Sequence, residues 1–134
     1  MNQATGTIQA DNGSAVYTFG PSYAGGIDNS GTIIASGNLI PDAPFISGGL
    51  GIRMLANTVS GTFQNRATGL IDGRYIGASF EGSTFNGLFR NEGRILGGDP
   101  LETTGFGYGF GATFSYNVWN GDIINEATGS IAAR

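Results

Sequence analysis

From Gly105 to Trp119 the chain alternates strictly. Even positions carry Phe106, Tyr108, Phe110, Ala112, Phe114, Tyr116 and Val118, and odd positions carry four glycines followed by Thr113, Ser115, Asn117 and Trp119. A period of two over this length predicts a β-strand with one apolar and one small or polar face. An earlier stretch keeps the same parity, with Ile46, Leu50, Ile52 and Met54 opposite Ser47, Gly49, Gly51, Arg53 and Asn57. Both stretches predict long strands whose large apolar row faces a core. No window shows helical periodicity with caps, and 25 glycines oppose helix throughout. The chain therefore reads as all-β.

Between the strands a short unit recurs five times: Asn2-Gln3-Ala4-Thr5-Gly6-Thr7-Ile8, Asn29-Ser30-Gly31-Thr32-Ile33, Asn65-Arg66-Ala67-Thr68-Gly69-Leu70-Ile71, Asn91-Glu92-Gly93-Arg94-Ile95 and Asn125-Glu126-Ala127-Thr128-Gly129-Ser130-Ile131. The first, third and fifth copies carry an Ala-Thr insertion. In the last four an apolar residue, Ile27, Phe63, Phe89 or Ile123, sits two positions before the asparagine and is expected to point inward. The asparagine is expected at a sharp corner in left-handed conformation, with the glycine turning the chain where a side chain would clash. Stacking such coils at ~4.8 Å would align Asn2, Asn29, Asn65, Asn91 and Asn125 into an amide ladder, with Gly6, Gly31, Gly69, Gly93 and Gly129 beside it.

The asparagines lie 27, 36, 26 and 34 residues apart, so short and long intervals alternate in a super-repeat of about 62 residues, or two coils. Residues 1–134 form one domain, with a first copy over about 2–64, a second over about 65–124 and a partial third over 125–134. Residues 15–27 align with 77–89, which extends the repeat beyond the motif. These observations specify a β-solenoid.

Composition narrows the function. Ten acids against six bases, all of them arginine, give a net charge of −4 without a basic stripe, which argues against nucleic-acid and anionic-membrane partners. Cysteine and histidine are absent, so thiol chemistry, imidazole acid–base chemistry and the commonest zinc ligands are excluded. No apolar run reaches the ~18 residues of a membrane helix. The glycines around Gly48-Gly49-Leu50-Gly51 lack the aspartate of a calcium-binding repeat, and the acids read as solvated corner residues. No catalytic, metal-binding or cofactor-binding residue is expected, and the chain reads as non-enzymatic.

The run Gly26-Ile27-Asp28-Asn29-Ser30-Gly31-Thr32-Ile33 resembles the Gly-Ile-x-Asn-x-Gly-Thr-Ile unit that recurs along passenger domains of bacterial autotransporters and haemagglutinin-like adhesins. That resemblance implies a right-handed parallel β-helix at a bacterial cell surface or beyond it, acting as a stalk, adhesin or fibre.

A solenoid leaves unpaired strand edges at both ends. Here both ends carry the same motif, so Thr7 and Ile8 at one end and Ser130 and Ile131 at the other are candidate assembly strands. The expected partner is a second copy joined head to tail, or flanking repeats of a longer chain. Trp119, the single tryptophan, falls on the small and polar parity of its strand and is the candidate for an exposed ligand contact, with host or matrix glycans as the ligand class. The alternative function is a carbohydrate-binding or carbohydrate-cleaving β-helix of the tailspike kind.

Overall fold

The computed structural model describes residues 1–37, 49–99 and 109–134. Among them the regular elements are thirteen strands, all paired in parallel. A lead-in strand, β1 (Thr7–Ala10), precedes four coils of identical plan, each with a ten-residue strand and two four-residue strands. The coils are β2 (Ser14–Tyr23), β3 (Gly26–Asn29) and β4 (Thr32–Ala35); β5 (Leu50–Val59), β6 (Thr62–Asn65) and β7 (Leu70–Gly73); β8 (Ile76–Phe85), β9 (Leu88–Asn91) and β10 (Arg94–Gly97); and β11 (Phe110–Trp119), β12 (Asp122–Asn125) and β13 (Ser130–Ala133).

Stacking the coils generates three parallel sheets. The long strands run β2-β5-β8-β11, the first short strands β3-β6-β9-β12, and the second short strands β1-β4-β7-β10-β13. Successive neighbours are one coil apart in sequence, so the protein is a β-solenoid, as its repeat predicts.

The core is made of like residues stacked coil upon coil. Ile8, Ile33, Ile71, Ile95 and Ile131 form one column in the second short sheet. Ile27, Phe63, Phe89 and Ile123 form another, confirming the inward residue two places before each asparagine. From the long sheet come Thr18, Met54, Phe80 and Phe114. Phe63 stacks on Phe89 with centroids 4.6 Å apart, and Phe80 meets both edge-on at 5.3 and 5.5 Å. Each such pair adds ~0.5–1.5 kcal/mol beyond burial of area. The middle coils are closed to solvent inside, with Ile52, Ile71, Ala78, Phe89 and Ile95 fully buried.

Three expectations are corrected. Ten-residue strands occur in every coil, not only in the long intervals. Pro21 in β2 and Glu81-Gly82-Ser83 in β8 mask the alternation that is plain in β11. The extra length of the long intervals falls instead between β4 and β5 and between β10 and β11, and Ile46, Phe106 and Tyr108 lie outside the described residues. Among the described residues no asparagine adopts positive φ, which is confined to Gly13, Gly49 and Gly98. Asn29, Asn65, Asn91 and Asn125 end short strands, Asn2 makes an isolated parallel bridge to Asn29, and their side chains carry the contact between coils.

The third correction concerns the face of Trp119, not its exposure. Parity holds through the middle of each long strand and then changes face, so that Met54 and Val59, five residues apart, are both buried. Trp119 pairs in register with Phe85, which pairs with Val59 and through it with Tyr23. It therefore belongs to an inward column. It is 39% exposed because it lies in the last coil, and its ring packs 5.0 Å from Phe85 and 5.2 Å from Tyr116.

Candidate functional site

The five asparagines form one continuous column. Asn2 Nδ2 donates to Asn29 Oδ1 at 2.9 Å, Asn29 to Asn65 at 2.8 Å, Asn65 to Asn91 at 2.8 Å and Asn91 to Asn125 at 2.8 Å. The donor always belongs to the earlier coil, so the ladder has a direction. The other amide hydrogen reaches backbone carbonyls, as from Asn65 to Gly69 and Arg94 at 3.3 Å. Asn29, Asn65 and Asn91 are fully buried, which requires this degree of satisfaction.

The paired glycines have a steric cause. A Cβ at Gly31 would overlap the carbonyl oxygens of Gln3 and Gly6, and one at Gly69 the carbonyl oxygen of Asn29 in the preceding coil as well as the Asn65 Oδ1 of its own turn. Gly93 and Gly129 crowd the preceding coil in the same way, whereas at Gly6 the nearest atom is the Asn2 Oδ1 within its own turn. The corner thus depends on close approach between coils.

At the ends the ladder and the sheets stop open. Asn2 donates into the stack, and among the described residues no donor reaches its Oδ1. Asn125, exposed, gives its amide to the Gly129 carbonyl at 3.0 Å and, among the described residues, to no further coil. Of the predicted assembly residues, Thr7 and Ser130 lie exposed in β1 and β13, and Ile8 and Ile131 terminate the isoleucine column. The structure places these two groups at opposite ends of the solenoid. Sequence reading missed the rest of the last coil's apolar edge, Phe110 in β11 and Ile123 in β12, each 46% exposed. Their columns in earlier coils are core, and the terminal position uncovers them, whereas Val118, expected in the inward row, continues the outer column of Ser22, Thr58 and Thr84 beyond the change of face.

A second missed feature lies on the outer face of the long sheet. Tyr17 and Phe19 project there from β2, 56% and 80% exposed. Beside Phe19 is a concavity of about 420 Å³ lined by Pro21, Leu55, Asn57 and Glu81. Their odd parity against Val16 and Thr18 was the available signal.

Charged groups clamp neighbouring coils. Arg66 grips Asp28 with two hydrogen bonds of 2.7 Å, and this contact holds the Asp28 carboxyl below its usual pKa. Arg90 bridges Glu92 at 3.2 Å and Glu126 at 2.8 Å, Arg74 meets Asp99 at 2.9 Å, and Arg134 meets Asp72. Burial, reinforced by the charge of Glu81, pushes the Tyr116 phenol up to about 12. Among the described residues no group of three acidic or metal-ligating side chains converges, and no helix is long and apolar enough to cross a membrane.

No family model, curated protein or solved structure matches the chain. The class rests on the fold itself, a parallel β-solenoid with an internal asparagine ladder.

Proposed function

We propose that the chain is a structural, non-catalytic solenoid of an extracellular or bacterial cell-surface fibre or adhesin, joined head to tail through its ends to a second copy or to further repeats. The observation that carries this reading is the pair of complementary ends: a directional ladder that presents amide acceptor oxygens at its first end and the Asn125 donor nitrogen at its last, framed by the outer edges of the three sheets. The autotransporter-like corner motif supports that compartment, and the absence of cysteine is compatible with it while leaving the compartment open. Sedimentation velocity over a concentration series, with electron microscopy of the concentrated protein, tests it. Filaments with an axial repeat of ~4.8 Å are expected, and a concentration-independent monomer sinks the reading.

A second reading, carbohydrate binding, is favoured by Phe19 rather than by Trp119. An aromatic ring this exposed beside an amide and a carboxylate offers a stacking face and hydrogen-bonding groups to a sugar. A polysaccharide screen with wild type and Phe19→Ala tests it, and binding that survives the substitution removes this site.

A further inference from the structure

The two ends are not equivalent in strand count. The second short sheet has five strands and the other two have four, because β1 stands alone in front of the first full coil. A second copy seated with its β13 on β1 would continue one sheet and leave the other two a strand short. A copy seated with its last coil on the first full coil would continue all three sheets, but the β1 place on β4 would have to be vacated.

Resting on the head-to-tail reading, we infer that β1 is a displaceable cap that occupies the docking edge of the solenoid, and that assembly proceeds by the last coil of a second copy taking its place. Residues 2–10, Asn-Gln-Ala-Thr-Gly-Thr-Ile-Gln-Ala, match residues 125–133, Asn-Glu-Ala-Thr-Gly-Ser-Ile-Ala-Ala, with Asn, Ala, Thr, Gly, Ile and the final Ala identical. Asn2 fills the Asn29 acceptor just as Asn125 fills a place on Asn91 from the other side, so the lead-in segment imitates the end that would replace it.

The replaced junction is complementary column by column. It would set Ile131 on Ile33, Ile123 on Ile27 and Trp119 on Tyr23, and would hand the Asn125 amide to Asn29. Tyr116, which already lies over Gly82, would meet Gly20, where an added Cβ has only a distant backbone neighbour. Pro21 does not obstruct it: in every long-strand pair the register skips that column, at Asn57, Ser83 and Asn117. Exchange gains pairing along one ten-residue and two four-residue strands and loses one four-residue strand. The cap is also weakly held, since Thr7, Ile8 and Gln9 are exposed and β1 pairs with β4 on one side. Its short tether to β2 gives it a high effective concentration, which holds the edge closed when the protein is dilute.

Cysteine pairs test this in the full chain, which has no thiol of its own. Thr7 and Thr32 are parallel partners, at a spacing of ~4.8 Å between strands that a disulfide spans. With Thr7→Cys/Thr32→Cys, filaments are expected under reducing conditions and lost on oxidation, while the control Thr32→Cys/Leu70→Cys, which locks two interior strands, assembles in both states. Ile8→Ser loosens the cap and is expected to lower the concentration needed for assembly. Oxidised Thr7→Cys/Thr32→Cys protein that assembles like the reduced form overturns the cap, as does an Ile8→Ser variant that assembles less well than wild type. If neither wild type nor Ile8→Ser sediments above monomer, the head-to-tail reading itself falls and the cap with it.

Discussion

At the level of single residues, position in the stack decides what a repeated side chain contributes. Asn65 is fully buried and bonded on both sides of the ladder, whereas Asn125 is exposed and bonded on one. Net contributions of single hydrogen bonds are ~1 kcal/mol, but a buried partner left unsatisfied costs a further ~1–3 kcal/mol. Asn65→Ala is therefore expected to lower unfolding free energy by ~2–4 kcal/mol and Asn125→Ala by ~1 kcal/mol or less, as read from urea denaturation of the monomer. A similar contrast governs titration. The Tyr116 phenol is raised to about 12 by burial, so the folded state binds its proton more tightly than the unfolded state does. The stabilisation linked to it is complete below ~10, the unfolded value, and falls as pH climbs through about 12. Alkaline unfolding of Tyr116→Phe should accordingly show a shallower decline between those limits. Asp28 runs the other way: with its pKa depressed by Arg66, its contribution is present above the ordinary aspartate range and is lost as pH falls through its lower folded value. The asparagine column and its glycines were legible in the sequence because ladder and close approach demand those residue types at each corner. The conformation of the asparagines was not, since a hydrogen bond to the next coil and a left-handed turn select the same residue.

Among the elements, the ten-residue strands set the width of the coil and the corners set how closely coils approach. Glycine is used for space more often than for φ. A Cβ at Gly61, in the turn between β5 and β6, would overlap the Gly25 carbonyl oxygen of the coil below, while at Gly20 the nearest atom is a backbone oxygen 3.9 Å away. Gly61→Ala should cost ~1–3 kcal/mol through forced backbone movement, and Gly20→Ala should be neutral or stabilising by up to ~1 kcal/mol because it restricts the unfolded chain. Thermal denaturation of the two variants checks the pair, and equal losses would show that coil spacing is not what the corner glycine protects. Alternation revealed β5 and β11 and hid β2 and β8, because Pro21 and the polar run Glu81-Gly82-Ser83 break the apolar period without breaking the strand. β2 lies on the edge of its sheet, where a missing N–H is tolerated. In β8 the flanking coils impose the geometry. The change of face before Val59, Phe85 and Trp119 has the same origin: it is shared in register by neighbouring strands and is invisible in any one of them.

For the whole molecule, the repeat makes every interior coil a template for the next, so that the ends differ from the middle only in lacking a neighbour. That equivalence yields a test separating stability from assembly. Ile123 and Phe89 occupy the same column in adjacent coils, yet Phe89 is fully buried and Ile123 is 46% exposed. Phe89→Lys places a charge in the buried core, without an opposite partner in its column, and should abolish the fold. Ile123→Lys leaves the ammonium in solvent in the free monomer and should change its unfolding midpoint little. In a head-to-tail stack the same ammonium would be trapped between coils against Ile27 of the next copy. Ile123→Lys is therefore expected to remain folded, by circular dichroism and denaturation, and to remain monomeric at concentrations where wild type sediments as oligomers. Wild-type-like assembly by Ile123→Lys would show that the last coil is not the joining surface, whatever the stability of the chain. Mixing supplies the final discrimination: a directional junction lets Ile123→Lys monomers add through their intact first coil to the last coil of a growing wild-type filament, and then block further growth there. Substoichiometric Ile123→Lys should shorten wild-type filaments, an effect expected only when the two ends of the solenoid are different and complementary.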